Sequence, residues 1–315
     1  MSDEETAPLS LAVIVVNWNG APLLRDCLAS LVKQNSRVEI IVVDNGSVDD
    51  SEQVAREFKA AWIPVGRNIG LAAAFNLGAE HARASHLVFL NNDVALSPDF
   101  CSRILSSFAD CPGLGALDVS HVSWNGAEET HRRTLFRASG DDLVTAGFIE
   151  IDADKTAPCA FASGACFGIP RESFVSIGGW DGGFFAGWED VDLSWRLRAS
   201  GLDVLYEPSI RIRHHVSASS SSPEGHRVRT LAAMTGRVRF ALKHAPWRVV
   251  SLCVLRLLVG LVTDAVRGPS RVPLRLRAIA QTTLAAPMLI QRRRRFYSEL
   301  ATSPRLMWQE ALDMT

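Results

Sequence analysis

LVFLNNDVALSP (residues 87–98) is an apolar run that stops on two amides and a carboxylate, Asn91, Asn92 and Asp93, with Ser97 and Pro98 opening a helix a few residues later. Unbroken Leu, Val and Phe without polar alternation suit a strand covered on both faces, as in the middle of a parallel sheet. LAVIVV (11–16) and VEIIVVD (38–44) repeat the pattern, and a shorter strand falls near Trp62. Helical stretches separate them: one from Pro22, one in SVDDSEQVAREF with acidic residues at its start, and an Ala-rich one across 71–84. Strand alternating with helix predicts an α/β fold, a mostly parallel sheet with right-handed crossovers and helices on both faces.

In such sheets ligands bind beyond the carboxyl ends of the strands. Those ends read Asn17 and Asn19, then DNGS (44–47), GRNIG (66–70) and NND (91–93). Asp44-Asn45-Gly46 alone is ordinary turn chemistry, and Asn68 with Gly70 alone could cap a helix. Ordinary turns do not require carboxylates at both Asp44 and Asp93, so the four polar ends together point to a site on one rim. Neither GxGxxG nor GxxxxGK follows the first strand. A diphosphate on this rim therefore needs a divalent cation, Mg²⁺ or Mn²⁺, with Asp93 as its anchor.

At 315 residues and 47% apolar content the chain can fill a substantial core. The net charge of −1 hides an asymmetry: residues 1–222 carry 17 Lys and Arg against 29 Asp and Glu, whereas residues 223–300 carry 15 against 3. The six cysteines have no metal-ligand spacing, and no signal-peptide pattern precedes the first strand. Buried free thiols in a reducing cytosol are the expectation.

The segments VIVVNWNG, IIVVDNGSVDDS, GRNIGLAAAFNLGAEHA, LVFLNNDV, ASGACFGIPRESFVSIGGWDGGFFAGWEDVDLSWRLRASG and IRIRHHVSASS, in this order over about 10–220, resemble a family 2 glycosyltransferase of the rhamnosyltransferase-like branch. The resemblance implies a GT-A fold, a nucleotide-diphosphate sugar donor, a divalent metal and inversion at the anomeric carbon. It places Asn17 and Asp44 at the nucleoside, with Asn45 and Ser47 shaping that turn. Asn68 and Gly70 then line the nucleotide pocket, and Asn92 with Asp93 occupy the metal motif. Asn91 stands where a second Asp is usual, so metal binding should lean on the diphosphate.

GGWDGGFFAGWEDVDLSWRLRASGLDVLYEP reads as a Gly-rich loop, a helix from about 189 to 200 and a strand over 203–207. Glu189, Asp190 and Asp192 crowd the helix start, where the macrodipole favours negative charge. Asp192 and Arg196, four apart, can form a surface pair, whereas Leu193 and Ser194 leave Asp190 without an opposite charge. The resemblance makes the ED carboxylate the general base, Asp190 in preference to Glu189. In 210–214, strand alternation puts Ile210, Ile212 and His214 on one face and Arg211, Arg213 and His215 on the other. A core histidine is the ordinary outcome there; the family pattern makes His214 a metal or diphosphate ligand, with His215 as fallback. Residues 123–158 are polar and aperiodic, an insertion to which no roles attach, and Ser217–Ser222 is loop material.

The C-terminal region differs in kind. WRVVSLCVLRLLVGLVTDAVRG (247–268) is apolar but carries Arg256 near its middle, costly for a spanning helix. Pro269 and Pro273 separate it from a second segment, which Pro287 interrupts and which ends in four arginines at 292–295. Helices lying on an anionic membrane surface are expected; no nucleic-acid motif accompanies the basic charge. The organisation read is thus 1–9 disordered, 10–222 a GT-A domain, and 223–315 a basic, apolar, membrane-associating helical region. The expected function is an inverting glycosyltransferase in cell-surface polysaccharide synthesis, peripheral at the inner face of the cell membrane. It moves a rhamnose-like sugar or another hexose from UDP or dTDP to a glycan, lipid-linked acceptor. The alternatives are a nucleotidyltransferase, against which NWNGAPLL lacks a basic phosphate loop, and a non-catalytic membrane scaffold, against which Asp44, Asp93 and Asp190 argue.

Overall fold

The computed structural model describes residues 10–136, 148–215, 223–300 and 302–313. The N-terminal nine residues and the serine loop of 217–222 lie outside them. Strand and helix alternate first, as β1 (Leu11–Asn17), α1 (Ala21–Leu31), β2 (Glu39–Asp44), α2 (Ser51–Glu57), β3 (Ala61–Pro64), α3 (Leu71–His81) and β4 (His86–Asn91). β5 (Val94–Leu96), α4 (Phe100–Asp110) and β6 (Leu114–Ser123) come next. The polar insertion holds short strands, β7 (Glu129–His131), β8 (Arg133–Phe136), β9 (Phe148–Ile151) and β10 (Ala157–Pro158). β11 (Cys166–Pro170), α5 (Arg171–Ser176), α6 (Glu189–Ala199) and β12 (Asp203–His214) complete the sheet-bearing part. Four helices end the chain: α7 (Pro223–His244), α8 (Trp247–Arg267), α9 (Val272–Glu299) and α10 (Pro304–Asp313).

The main sheet has ten strands, with the path β10-β12-β6-β11-β4-β1-β2-β3, β5 paired to β12 and β7 to β6. β4, β1, β2 and β3 are mutually parallel. β11 enters antiparallel to both β4 and β6, so the sheet is mixed. The unbroken apolar runs have a direct cause. Val13 and Val15 of β1 and Val88 and Leu90 of β4 bury against α1 and α4, while Ala12, Ile14, Leu87 and Phe89 bury on the other face with Phe75, Phe167 and Trp180. Both faces are covered, and alternation would have exposed polar side chains to neither water nor partner.

A third apolar cluster joins α6 to the terminal helices through Trp195, Phe240, Val249, Leu257 and Trp308. α9 runs unbroken through Pro287, where the sequence suggested an interruption. Ala278 and Leu289, buried on either side of the proline, offset the ~3 kcal/mol an interior proline costs.

Candidate active site

Register aligns the strand ends: Asn17 pairs with Asp44, Asp44 with Pro64, and Val16 with Asn91. The polar residues that follow share one rim. Asn17 is fully buried; its Nδ2 donates to Asp44 Oδ1 at 3.3 Å and to Ser47 Oγ at 3.1 Å, and its Oδ1 accepts from Asn92 Nδ2 at 2.7 Å. One amide thereby ties the ends of three strands together. Asn45 does the same for the next turn: its Oδ1 accepts from Ile69 N at 3.1 Å and its Nδ2 donates to Gly70 O at 3.3 Å. Asn68 Oδ1 accepts from Gly70 N at 3.0 Å. Gly70 has φ +88, and a Cβ there would stand 2.7 Å from Phe185 O, so only glycine suits the position. A cavity of about 220 Å³ opens at this rim, with Trp18, Asn45, Asn68, Gly70 and Asn92 on one side and Phe185 and Arg229 on the other.

Beside it, His214 at the end of β12 brings Nε2 to 3.3 Å from Asp93 Oδ1. That carboxylate oxygen is buried and accepts no hydrogen bond. An orphaned anionic oxygen next to an imidazole nitrogen is costly alone and suits a divalent cation. Alternation along β12 is as expected: Ile210 and Ile212 are buried, Arg211 and Arg213 exposed.

Three neighbours have no role that the sequence analysis assigned. His121 on β6 lies edge-on to His214, ring centroids 5.4 Å apart, and 4.5 Å from the ring of His131 on β7. His131 Nε2 hydrogen-bonds Asp118 Oδ2 at 2.8 Å. Ligand atoms of Asp118, His121 and His131 all lie within 4.8 Å of one another, a donor set that could itself hold a metal. Burial, then the charges of His131 and His214, holds His121 well below the usual imidazole range, and its Nε2 has no partner. Burial works against the charged form of His131 too, yet Asp118 carries its titration upward. The available signal was polar residues inside an otherwise apolar strand, LGALDVSHV.

The cluster leads to the ED pair. Asp118 Oδ1 accepts from Ser163 N at 3.0 Å, and the next amide, Gly164 N, donates to Asp190 Oδ2 at 3.0 Å. Asp190 Oδ1 accepts from Val191 N at 2.8 Å. Glu189 is buried and its Oε2 is unpartnered. Burial, with the Asp190 charge beside it, pushes Glu189 up to about 8. Burial also raises Asp190, against the two amides that hold it down. Of the two carboxylates, Asp190, only half-buried and held by two backbone amides, is the one better placed to accept a proton.

Asp192 does something else. The surface pair expected with Arg196 is buried: Arg196 Nε donates to Asp192 Oδ2 at 2.8 Å, His244 Nε2 lies 3.0 Å from Oδ1, and Lys243 Nζ also donates to Oδ1. Burial alone would raise Asp192; Lys243, Arg196 and His244 hold it well below the carboxylate range. Lys243 reaches Asp181 Oδ2 at 2.9 Å, and Tyr297 OH accepts from Trp195 Nε1 at 2.9 Å. Terminal helices α7 and α9 are thus bolted to the helix that carries Asp190.

The sequence model of glycosyl transferase family 2 matches residues 12–178. Among characterised proteins, the N-acetylglucosaminyl-diphospho-decaprenol L-rhamnosyltransferase of Mycobacterium tuberculosis is 29% identical over 245 residues, 69% of this chain and 80% of that one. Validoxylamine A glucosyltransferase of Streptomyces hygroscopicus is 26% identical over 262 residues, 74% of this chain and 61% of that one. Of solved structures, GalNAc-T7 with UDP, GalNAc and Mn²⁺ superposes with TM-score 0.57 at 17% identity, over 76% of this chain and 51% of its own. The mannosyltransferase PcManGT from Pyrobaculum calidifontis, in complex with GDP-Man and Mn²⁺, superposes with TM-score 0.53 at 18% identity, over 98% of this chain and 85% of its own. The mixed sheet flanked by helices is the expected GT-A fold. This chain belongs to glycosyl transferase family 2, and within it resembles the rhamnosyltransferase-like branch.

Proposed function

We propose that the chain transfers a sugar, rhamnose-like or another hexose, from a UDP- or dTDP-linked donor to a lipid-linked glycan acceptor with inversion. The observation that carries this is the placement of Asp190, beside the buried Glu189 and linked through Gly164 and Asp118 to the histidines beside Asp93. Asn45, Asn68, Gly70 and Asn92 line the donor pocket. Asn17, fully buried, positions Asp44, Ser47 and Asn92. Asp93 and His214 would hold the Mg²⁺ or Mn²⁺. When bound, that ion supplies positive charge to a departing diphosphate. Asp190 takes the proton of the acceptor hydroxyl as its oxygen bonds to the anomeric carbon; the bond from that carbon to the phosphate oxygen breaks, and nucleoside diphosphate leaves.

The relatives support sugar transfer, and the M. tuberculosis protein's name specifies a lipid-linked acceptor. On our reading the terminal helices meet that acceptor at the cytosolic membrane face. Leu255, Leu258, Val259, Val262 and Val266 form an exposed stripe on α8, and Leu284 and Met288 extend the exposed apolar surface on α9. By length and composition α8 is the one helix among the described residues able to span a bilayer. Its other face is buried through Val249, Val250, Cys253 and Leu257, which favours a helix lying in the interface.

The test is release of nucleoside diphosphate from UDP- and dTDP-sugars with and without Mn²⁺ or Mg²⁺, in the presence of lipid-linked acceptors. Acceptor-stimulated, metal-dependent release supports transfer. A folded protein that binds no nucleotide sugar would instead be the membrane scaffold.

A further inference from the structure

A second cavity, of about 420 Å³, lies along the neighbouring face of α7. Arg229 reaches both it and the donor pocket. Its basic lining is Arg229, Arg237, Arg256, Arg275 and His226, and among the described residues no carboxylate lines it. Arg275 is neutralised from outside, its Nε donating to Asp264 Oδ2 at 2.8 Å. Arg237 and Arg256 have no ion-pair partner among the described residues, and Arg237 Nε is buried without a hydrogen bond. Burial, with Arg256 nearby, lowers the Arg237 titration below its ordinary value. A partly buried guanidinium beside a second, exposed one is unfavourable unless an anion joins them. Guanidinium forks match phosphate oxygens in pairs.

Apart from Thr230, the rest of the lining is apolar, with Met234, Val238 and Leu257. The same helix α8 that supplies Cys253, Arg256 and Leu257 to the cavity turns Leu255, Leu258 and Val259 outward. A ligand with a phosphorylated head and a long hydrocarbon tail has a place for each part. The cavity also adjoins the chemistry. Arg237 stacks over Trp188 at 5.7 Å, and Trp188 immediately precedes Glu189 and Asp190. A Cβ on Gly236 would come within 3.0 Å of Gly187 O and Trp188 Cδ1, so α7 is pressed directly on the turn that presents the base.

We infer that this arginine-lined cavity is the acceptor's subsite, holding the diphosphate of a polyprenyl-diphosphate-linked sugar while its hydrocarbon chain follows α8 into the membrane. The inference rests on the transferase reading above. It separates the two diphosphates of the reaction, the donor's at Asp93 and His214 and the acceptor's at Arg237 and Arg256.

The probe is farnesyl diphosphate, titrated calorimetrically into the full chain, with farnesol and UDP as comparisons. Arg256, exposed, and Arg237 are each replaced by Gln, and thermal melting checks folding. Each variant should weaken farnesyl diphosphate by about tenfold, the loss of one charge-assisted phosphate contact, while UDP binding stays unchanged and farnesol binds none of the three proteins measurably. Equal affinity in wild type, Arg256→Gln and Arg237→Gln would overturn the assignment. So would displacement of farnesyl diphosphate by UDP, which would put it in the donor pocket. Loss of sedimentation with phosphatidylglycerol vesicles in Arg256→Gln, with farnesyl diphosphate binding intact, would overturn it in favour of a phospholipid headgroup site. The two proposals fail separately. Arginine-dependent farnesyl diphosphate binding without any donor turnover would sink the transferase reading alone; metal-dependent turnover with arginine-independent binding would sink the subsite alone.

Discussion

Replacing Asp190 by Asn tests the base with little change in volume. Two backbone amides point at this carboxylate, Gly164 N at 3.0 Å and Val191 N at 2.8 Å. An Asn oxygen can accept one of them, while its NH₂ would face the other donor. One lost hydrogen bond to a charged group costs about 1.5–3 kcal/mol, and relief of repulsion against Glu189 returns part of it. The variant should therefore fold with a modestly lower Tm. Transfer should fall far more, by ~10²–10⁴-fold, or about 3–5 kcal/mol of barrier, with the KM for donor little changed because Asp190 does not line the donor pocket. The assay is acceptor-dependent release of nucleoside diphosphate across a pH series. In the wild type the rate should climb with pH as Asp190, raised by burial, loses its proton. A folded Asp190→Asn protein with nearly full activity and the same pH profile would refute the assignment.

Other outcomes follow from the same geometry. Glu189 titrates near 8 in the fold against an ordinary 4.5, so the folded state holds a proton the unfolded chain releases. Its stability contribution is complete below about 4.5 and is lost as pH rises through 8; Glu189→Gln should flatten that decline in a Tm-against-pH series. Lys243→Met leaves the buried Asp192 without its ammonium partner and should cost ~3–5 kcal/mol in denaturant unfolding; an unchanged midpoint would show that Arg196 and His244 suffice. Leu258→Glu with Val262→Glu, on the exposed stripe of α8, should abolish sedimentation with anionic vesicles at unchanged Tm, and retained sedimentation would remove the membrane role from this face. Removing 224–315 altogether is a poor test of that role, because it would uncover Asp192 and Trp195.

The parallel part of the fold was legible because burial on both sheet faces writes itself as unbroken apolar runs, visible in β1, β2 and β4. The rim was legible because a buried strand must turn polar where it meets a site. β5 was not: Val94-Ala95-Leu96 is too short for a period, and its pairing partner, Ile212 to His214, lies more than a hundred residues away. Asp118 and His131 come together only through pairing of β6 with β7, inside a segment with no periodicity to read. The Asp192 cluster shows the limit of helix spacing. Four-residue separation identified Arg196 as a partner, but only the docking of α7 buries the pair and adds Lys243 and His244.

Calorimetric titration of UDP and dTDP, with and without Mn²⁺, into wild type, Asp93→Asn and His214→Ala reaches the central assignment most directly. Mn²⁺ should tighten nucleotide binding in the wild type, and each substitution should erase that gain while leaving the metal-free affinity in place. Nucleotide binding indifferent to Mn²⁺ in the wild type, or an equal Mn²⁺ gain in all three proteins, would contradict the assignment of Asp93 and His214 as the donor's metal site.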